Sequence, residues 1–379
     1  MATEPAYIDP IDGSTYPIAV PRWRSDAGRP LMITDLPGIG RDGIETATRS
    51  LWRYAGALPV AVEDPITLGE GCTPLVRRPW NGGHAHFKLE WFAPSGSFKD
   101  RGASVMLSIL RQQGIEAVLE DSSGNGGAAV ATYAAAAGMR AKILVPASTS
   151  PAKTVQMRAA GAAIDLIPGT RQDTADAAFA QAESIFYASH NWQAHFLQGT
   201  KTLAYELWED LGFRAPDAVI IPCGAGSNVL GCEIGFSELL RRGEIAKLPR
   251  LYAVQPAHCA PLHAGFEAGA EDFLPVSPQP TLAEGASIAQ PVRGREVLAA
   301  LRRSGGGTVA VAEADIEAAL RDLARSGLYV EPTCAMAAAA LTTLTGRGTI
   351  RADETTAVVL TGTGIKATPR IADLLGGGA

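Results

Sequence analysis

The stretch "AVLEDSSGNGGAAVATYAAAAGMRAKILVPAS", residues 117–148, passes from an apolar run through small polar residues into an Ala-rich segment and out into a second apolar run. Read by period and by breakers, it predicts a strand over 117–123, a helix over 126–139 and a strand over 140–148. Two strands joined by a connection of helix length must lie parallel, with the helix packed across them. The turn between the first strand and the helix, Ser122-Ser123-Gly124-Asn125, brings hydroxyls, an amide and bare backbone N–H groups to a helix N-terminus. Such a turn receives a carboxylate well. Simple N-capping by Ser or Asn is the plainer alternative.

The same rhythm extends in both directions. Strands are expected at 84–92, 162–169, 217–224, 250–257 and 355–364, and helices at 99–114, 151–161, 199–212 and 228–243. A break falls near 186–198, and 269–285 reads as a loop. Two successive parallel α/β units are therefore expected to meet at a cleft, where the carboxyl ends of strands collect ligand sites. Residues 1–45 are rich in Pro and Gly and read as an extended arm covering a neighbouring surface, such as that of a partner subunit.

The chain has 379 residues, 46% hydrophobic and 19% charged, enough for a large core. Its 33 Lys and Arg against 39 Asp and Glu give a net charge of −6 without like-charged blocks, so neither a nucleic-acid surface nor a basic membrane patch is indicated. Five cysteines, an odd number with no C-x-x-C pair, suit reduced thiols in a cytoplasmic protein. No apolar run reaches the length of a membrane span, and the start of the chain resembles neither a secretory signal nor a transit peptide.

Two further motifs carry chemistry. In "IIPCGAGSNVLGCEIGF" an apolar strand runs into Gly224-Ala225-Gly226-Ser227-Asn228 and then a helix, a turn whose backbone can close around a phosphate. A glycine turn required only by backbone angles is equally compatible with it. In "PSGSFKDRG", Lys99 opens a helix, where the partial positive charge disfavours the protonated amine and favours attack on a carbonyl. A solvated lysine paired with Asp100 is the plain alternative. Lysine, phosphate cradle and carboxylate receptor together fit one cofactor, pyridoxal 5'-phosphate.

"APSGSFKDRG", "SSGNGGAA", "PCGAGSN" and "VLTGTGIK" resemble, in that order, the signatures of fold-type II pyridoxal-phosphate enzymes, the tryptophan synthase β-like superfamily. "SLWRYAGALPV", "ITLGEGCTPLV", "QGTKTLAYEL" and "YVEPTCAMAAAAL" extend the similarity, closest to the threonine synthase-like group, from about Leu51 to Lys366. The resemblance implies two layered parallel-sheet α/β domains with the cofactor in the cleft between them. The larger would comprise 1–86 and 200–379, and a small mobile domain 87–199. It implies Lys99 as the Schiff-base lysine and α-proton base, Asn125 on the cofactor's 3'-oxygen, and Gly224, Ala225, Gly226, Ser227 and Asn228 around its phosphate. Thr361 would face the pyridine nitrogen, and Ser122, Ser123 and Gly124 would hold the substrate α-carboxylate. His190 and His195 fall in the substrate-facing segment, with His195 the expected substrate contact. Glu284 would lie near the cofactor, and a homodimer is expected.

Departures from the group shape the expected reaction. Ala93 replaces an Asn, Ser123-Gly124-Asn125-Gly126 replaces "TGNT", and Gly224-Ala225-Gly226-Ser227-Asn228 replaces "GNGGN". Before the "GTKT" helix, "ASHNWQAHFLQGTKT" stands where threonine synthases show "NSxNPxRxxGQKT", whose arginine binds the substrate phosphate. Without that arginine, β-elimination from a hydroxy- or amino-substituted amino acid is preferred over conversion of O-phosphohomoserine to threonine. A non-catalytic cofactor-binding sensor and a plain nucleotide-binding protein remain the alternatives from other classes. His84 and His86 share a strand face without a third ligand, so no metal is expected, and Cys223 and Cys334 read as packing residues.

Overall fold

The computed structural model describes residues 4–376. It divides into two compact units, one of the described residues up to Cys72 with Lys99–Thr202, the other of Thr73–Phe98 with the described residues from Leu203 onward. The expectation that residues 1–86 belong with the C-terminal half is corrected for the described residues up to Cys72, and 87–98, expected in the small domain, fall in the other unit. Glu70 is the physical reason for the first: its carboxylate accepts from Trp52 Nε1 at 3.1 Å, Ser104 Oγ at 2.7 Å and Tyr133 O–H at 2.8 Å. Leu51 and Trp52 also pack on Val105 and Ile109. One buried carboxylate and one apolar cluster thus tie the segment before Cys72 to the Lys99–Gln112 and Asn125–Ala136 helices.

The first unit is built on a four-stranded parallel sheet in the order Ala163–Ile167, Arg140–Pro146, Ala117–Glu120, Phe186–Tyr187. Val118 pairs with Ala141 on one side and Phe186 on the other. The strand order therefore reverses between Ala117–Glu120 and Phe186–Tyr187, and the carboxyl ends at such a reversal leave a crevice. The segment read as a break near 186–198 in fact holds that last short strand and the Ala194–Thr200 helix.

Ala103, Met106, Leu107 and Leu110 recur at helical spacing on Lys99–Gln112 and enter the core with Val130, Tyr133 and Ile143. The helix is buried from Asp100 to Leu110, so it needs neighbours on several sides. Ala194–Thr200 supplies one. A Cβ on Gly102 would lie 2.4 Å from the Phe196 ring, and one on Gly199 would lie 2.0 Å from the Arg101 carbonyl, so only glycine permits this approach.

The arm expected over residues 1–45 is a small domain element instead. Ala6–Ile8 pairs antiparallel with Thr15–Pro17 and Met32–Ile33. Tyr7, Leu31, Ile33 and Leu36 pack on Ala194, so these apolar side chains are buried within their own unit.

The second unit carries a six-stranded sheet ordered Gly307–Val311, Arg250–Pro256, Ala218–Pro222, Thr356–Leu360, Gly83–Leu89, Leu75–Trp80. All neighbours are parallel except the last pair, a hairpin turned by Asn81 and Gly82, both at positive φ. Ala218–Pro222 is buried throughout and lies centrally, as a run of apolar residues without alternation requires. The Ala-rich Pro332–Gly346 helix packs on the sheet with the Ile316, Leu320 and Leu323 stripe of Glu313–Arg325. Here the strand order reverses between Ala218–Pro222 and Thr356–Leu360. Lys88, 0% exposed, meets Glu206 at 2.7 Å and Asp210 at 2.6 Å, a buried charge set within this unit.

Candidate active site

In the second unit, both loops at the strand reversal carry residues singled out from the sequence. Cys223 N–H donates to the Val254 carbonyl at 2.8 Å, ending the Ala218–Pro222 strand, and the chain turns through Gly224, Ala225 and Gly226 into the Ser227–Arg241 helix. Gly226 has φ +93°, and a Cβ there would lie 2.2 Å from Val297 Cγ2, so glycine is required on both counts. The N-cap residue, Gly226, has no side chain with which to cap this helix. Asn228, in its first turn, is 2% exposed, yet neither its Oδ1 nor its Nδ2 has a hydrogen-bond partner among the described residues. A buried amide left unsatisfied costs free energy unless something bonds to it.

Thr361 follows the neighbouring strand. Its carbonyl accepts from Phe98 N–H at 3.0 Å, and Ser97 bridges Gly362, so the residues just before Lys99 are fixed beside Thr361. Cys334 Sγ lies 3.3 Å from Thr361 Oγ1, donates to the Gly362 carbonyl at 3.1 Å and accepts from Gly362 N–H at 2.9 Å. Burial pushes its thiol well above the ordinary range, with Glu331 acting the same way. Cys334 is therefore no nucleophile, but it orients the Thr361 hydroxyl, a role beyond the packing expected of it. Glu284 opens a short turn, Glu284–Ala286, whose Gly285 and Ala286 backbone abuts Gly224.

In the first unit, Lys99 begins its helix with Nζ 5.5 Å from the Phe196 ring centroid. The Ser122–Asn125 turn leaves Glu120 and enters the Asn125–Ala136 helix through Gly124, again with no side-chain cap. The N-cap residue is thus a glycine, which has no side chain to cap with, and the first N–H groups of the helix lack an intrahelical partner. Ser122 Oγ accepts weakly from Gly124 N–H at 3.4 Å.

His195 is corrected by the structure. Its Nε2 is hydrogen-bonded to the Tyr7 hydroxyl at 2.7 Å, it is 0% exposed, and burial lowers its pKa to about 3. It joins the N-terminal strand to the Ala194–Thr200 helix. His190 instead lies at the strand reversal: its Nδ1 is 3.1 Å from Glu120 Oε1, and its backbone N–H donates to Glu120 Oε2 at 3.0 Å. A Cβ on Gly126 would lie 2.6 Å from His190 Nδ1, so the ring sits directly on the start of the Asn125–Ala136 helix. Burial holds His190 neutral, and the nearby Lys99 charge acts in the same direction. Burial pushes Glu120 up to about 7, against hydrogen bonds from His190 and Asp121 and the attraction of Lys99. Asp121, raised by burial, accepts from Tyr187 O–H at 2.8 Å and Ser189 Oγ at 3.2 Å. Glu120 was not foreseen, because nothing local in "AVLEDSS" links it to a histidine 70 residues away.

The family model described as "Pyridoxal-phosphate dependent enzyme" matches residues 66–362. The chain belongs to the pyridoxal-phosphate dependent enzyme family. This pyridoxal-phosphate dependent enzyme is 33% identical over 332 residues to a threonine synthase of Methanosarcina acetivorans, covering 86% of this chain and 82% of that protein. It is 34% identical over 325 residues to a threonine synthase of Methanocaldococcus jannaschii, covering 83% and 80%. In fold it is similar to an L-serine ammonia-lyase from Rhizomucor miehei, with a TM-score of 0.70 at 22% identity over 81% of this chain and 98% of that one. It is thus a threonine synthase-like member of the fold-type II enzymes, and its cofactor is pyridoxal 5'-phosphate. The residues present fit that group: a glycine turn closing on an uncapped helix start, and a buried Asn228 amide awaiting a partner. Among the described residues, no cluster of three or more His, Cys, Asp or Glu is placed to hold a metal ion, and no helix is long and apolar enough to cross a membrane.

Proposed function

We propose that the protein is an amino-acid lyase that eliminates the β-substituent of a hydroxy- or amino-substituted amino acid, releasing a 2-oxo acid and ammonia. The observation that carries this reading is the 186–198 segment. It contains no Arg or Lys, and it sets a neutral His190 against Glu120 at the strand reversal. A substrate phosphate dianion calls for an arginine fork, whereas a carboxyl backed by a neutral imidazole suits an uncharged substituent.

Pyridoxal 5'-phosphate, when bound, supplies the electron-withdrawing group that makes a substrate α C–H acidic. Lys99 would carry it covalently and, once displaced by the substrate amine, would take the α-proton. The backbone N–H groups of Gly224, Ala225, Gly226 and Ser227 would receive the phosphate, with the Asn228 amide beside them. Asn125 would bond the 3'-oxygen, and Thr361, oriented by Cys334, would face the ring nitrogen. Ser122, Ser123 and Gly124 would receive the α-carboxylate at the uncapped helix start. A hydroxyl rather than a carboxylate at Thr361 would not hold the ring nitrogen protonated, a setting that would suit elimination. The same reading takes the enzyme as a cytoplasmic homodimer, in keeping with the absence of disulfides among its cysteines.

The second reading is threonine synthase, favoured by relatives of that name at 33–34% identity. Assays for 2-oxo acid and ammonia across β-hydroxy and β-amino amino acids separate the two. Release from a member of that panel supports the lyase, and phosphate and threonine formed from O-phosphohomoserine alone would refute it.

A further inference from the structure

We infer that His190 is the catalytic acid that protonates a departing β-hydroxyl, with Glu120 as the group that holds and resupplies its proton. The inference rests on the lyase reading above and narrows its substrate to a β-hydroxy-α-amino acid. Hydroxide is a poor leaving group, and an active site that expels it needs a proton at the oxygen.

The geometry is that of a relay. Glu120 Oε2 accepts from the His190 backbone N–H and Oε1 from the Asp121 backbone N–H, each at 3.0 Å, and His190 Nδ1 lies 3.1 Å from Oε1 and 3.2 Å from Oε2, so carboxyl and imidazole are held face to face. The relay has the carboxyl donate to Nδ1 and the ring proton lie on Nε2, an atom with no hydrogen-bond partner among the described residues. The ring is fixed by Gly126 on one side and by the Phe196 ring, 5.8 Å away at 62°, on another. The charged and titratable groups that face the pair are Lys99 from its helix, Asp121 from the strand end and Arg171 from the Arg171–Gln181 helix. Asp121 is itself held by Tyr187 and Ser189.

The step balances. Lys99 takes the α-proton, the α-carbon electron pair forms the Cα–Cβ double bond, and the Cβ–O bond breaks with its pair on oxygen. His190 Nε2–H gives its proton to that oxygen, releasing water, while Nδ1 takes the Glu120 carboxyl proton. The ring stays neutral but now carries its proton on Nδ1, and Glu120 is left as a carboxylate; before the next turnover Nδ1 gives that proton back to Glu120 while the proton gained by Lys99 is delivered to Nε2.

The test compares serine with β-chloroalanine, whose chloride departs without a proton, in the holoenzyme and in His190→Gln and Glu120→Gln. The expected result is that His190→Gln loses about 10²–10⁴-fold in kcat/KM on serine but no more than about tenfold on β-chloroalanine. Exchange of the substrate α-hydrogen in deuterated water should persist, because Lys99 remains. A second readout does not depend on turnover: the infrared difference spectrum of the full chain against Glu120→Gln should show the C=O stretch of a protonated carboxyl near neutral pH. Glu120→Gln preserves size, so it keeps the test decisive should His190→Gln fold poorly. Equal losses on both substrates, or no carboxylic-acid band, would overturn the relay while leaving the lyase reading intact. A wild-type enzyme that eliminates neither substrate would overturn both.

Discussion

Lys99, Thr361 and Cys334 show how single residues are set by what precedes them. Phe98 N–H and Ser97 are fixed on Thr361 and Gly362, so the turn before Lys99 is held by backbone bonds rather than by the lysine itself. Cys334 makes three contacts to Thr361 and Gly362, each worth about 0.5–1.5 kcal/mol if neutral hydrogen bonds are the guide. Cys334→Ala should therefore destabilise the protein by about 1–3 kcal/mol and weaken cofactor retention, measured by thermal denaturation and by dialysis against buffer without cofactor. Cys334→Ser, which keeps the donor, should recover most of both. Unchanged retention in Cys334→Ala would show that the thiol does not orient Thr361.

At the scale of elements, each unit has one strand reversal, and at each a helix begins behind a glycine N-cap. Gly226→Ala tests one of them: φ +93° and a Cβ 2.2 Å from Val297 both oppose the change. Loss of about 1–3 kcal/mol in stability is expected, with cofactor affinity falling further than in a Gly→Ala change at the exposed Gly346, whose Cβ would meet nothing within 4 Å. Denaturation and cofactor titration read the two effects. The parallel units were legible in the sequence because short apolar strands and Ala-rich helices alternate between glycine turns. The hairpin Leu75–Trp80 with Gly83–Leu89 was not recognised, although Asn81-Gly82 is a strong hairpin signal. Gly307–Val311, buried at alternate residues, escaped because Gly307 and Ala310 have little or no side chain to show that alternation in the sequence. The stripe Ile316, Ala319, Leu320, Leu323 was present and unused. Lys99, the glycine turns and Thr361 were legible as motifs. His190 with Glu120 was not, since only the parallel pairing of Ala117–Glu120 with Phe186–Tyr187 brings their ends together.

For the whole molecule, buried titrating groups couple stability to pH. Glu120 rises from 4.5 to about 7 on folding, so the folded state binds its proton more tightly. Its contribution is fully present below pH 4.5 and is lost as pH rises through 7. His195 falls from 6.5 to about 3, so its contribution is present above pH 6.5 and is lost as pH falls towards 3. The two slopes oppose each other between pH 4.5 and 6.5. Denaturant unfolding of wild type and Glu120→Gln across this range should separate them. The variant should lose the decline between pH 4.5 and 7 and keep the acid-side decline, and parallel curves would show that Glu120 is not protonated on folding.

The central claim concerns which side chain the site accepts, and a competition assay tests it directly. The purified holoenzyme is given O-phosphohomoserine and a β-hydroxy or β-amino amino acid together at equal concentration near neutral pH, and 2-oxo acid, phosphate and threonine are followed in one vessel. The account predicts 2-oxo acid in excess of phosphate for at least one β-substituted amino acid, and a higher kcat/KM for that compound. Phosphate and threonine formed in equal amounts, with no 2-oxo acid from any competitor, would contradict it.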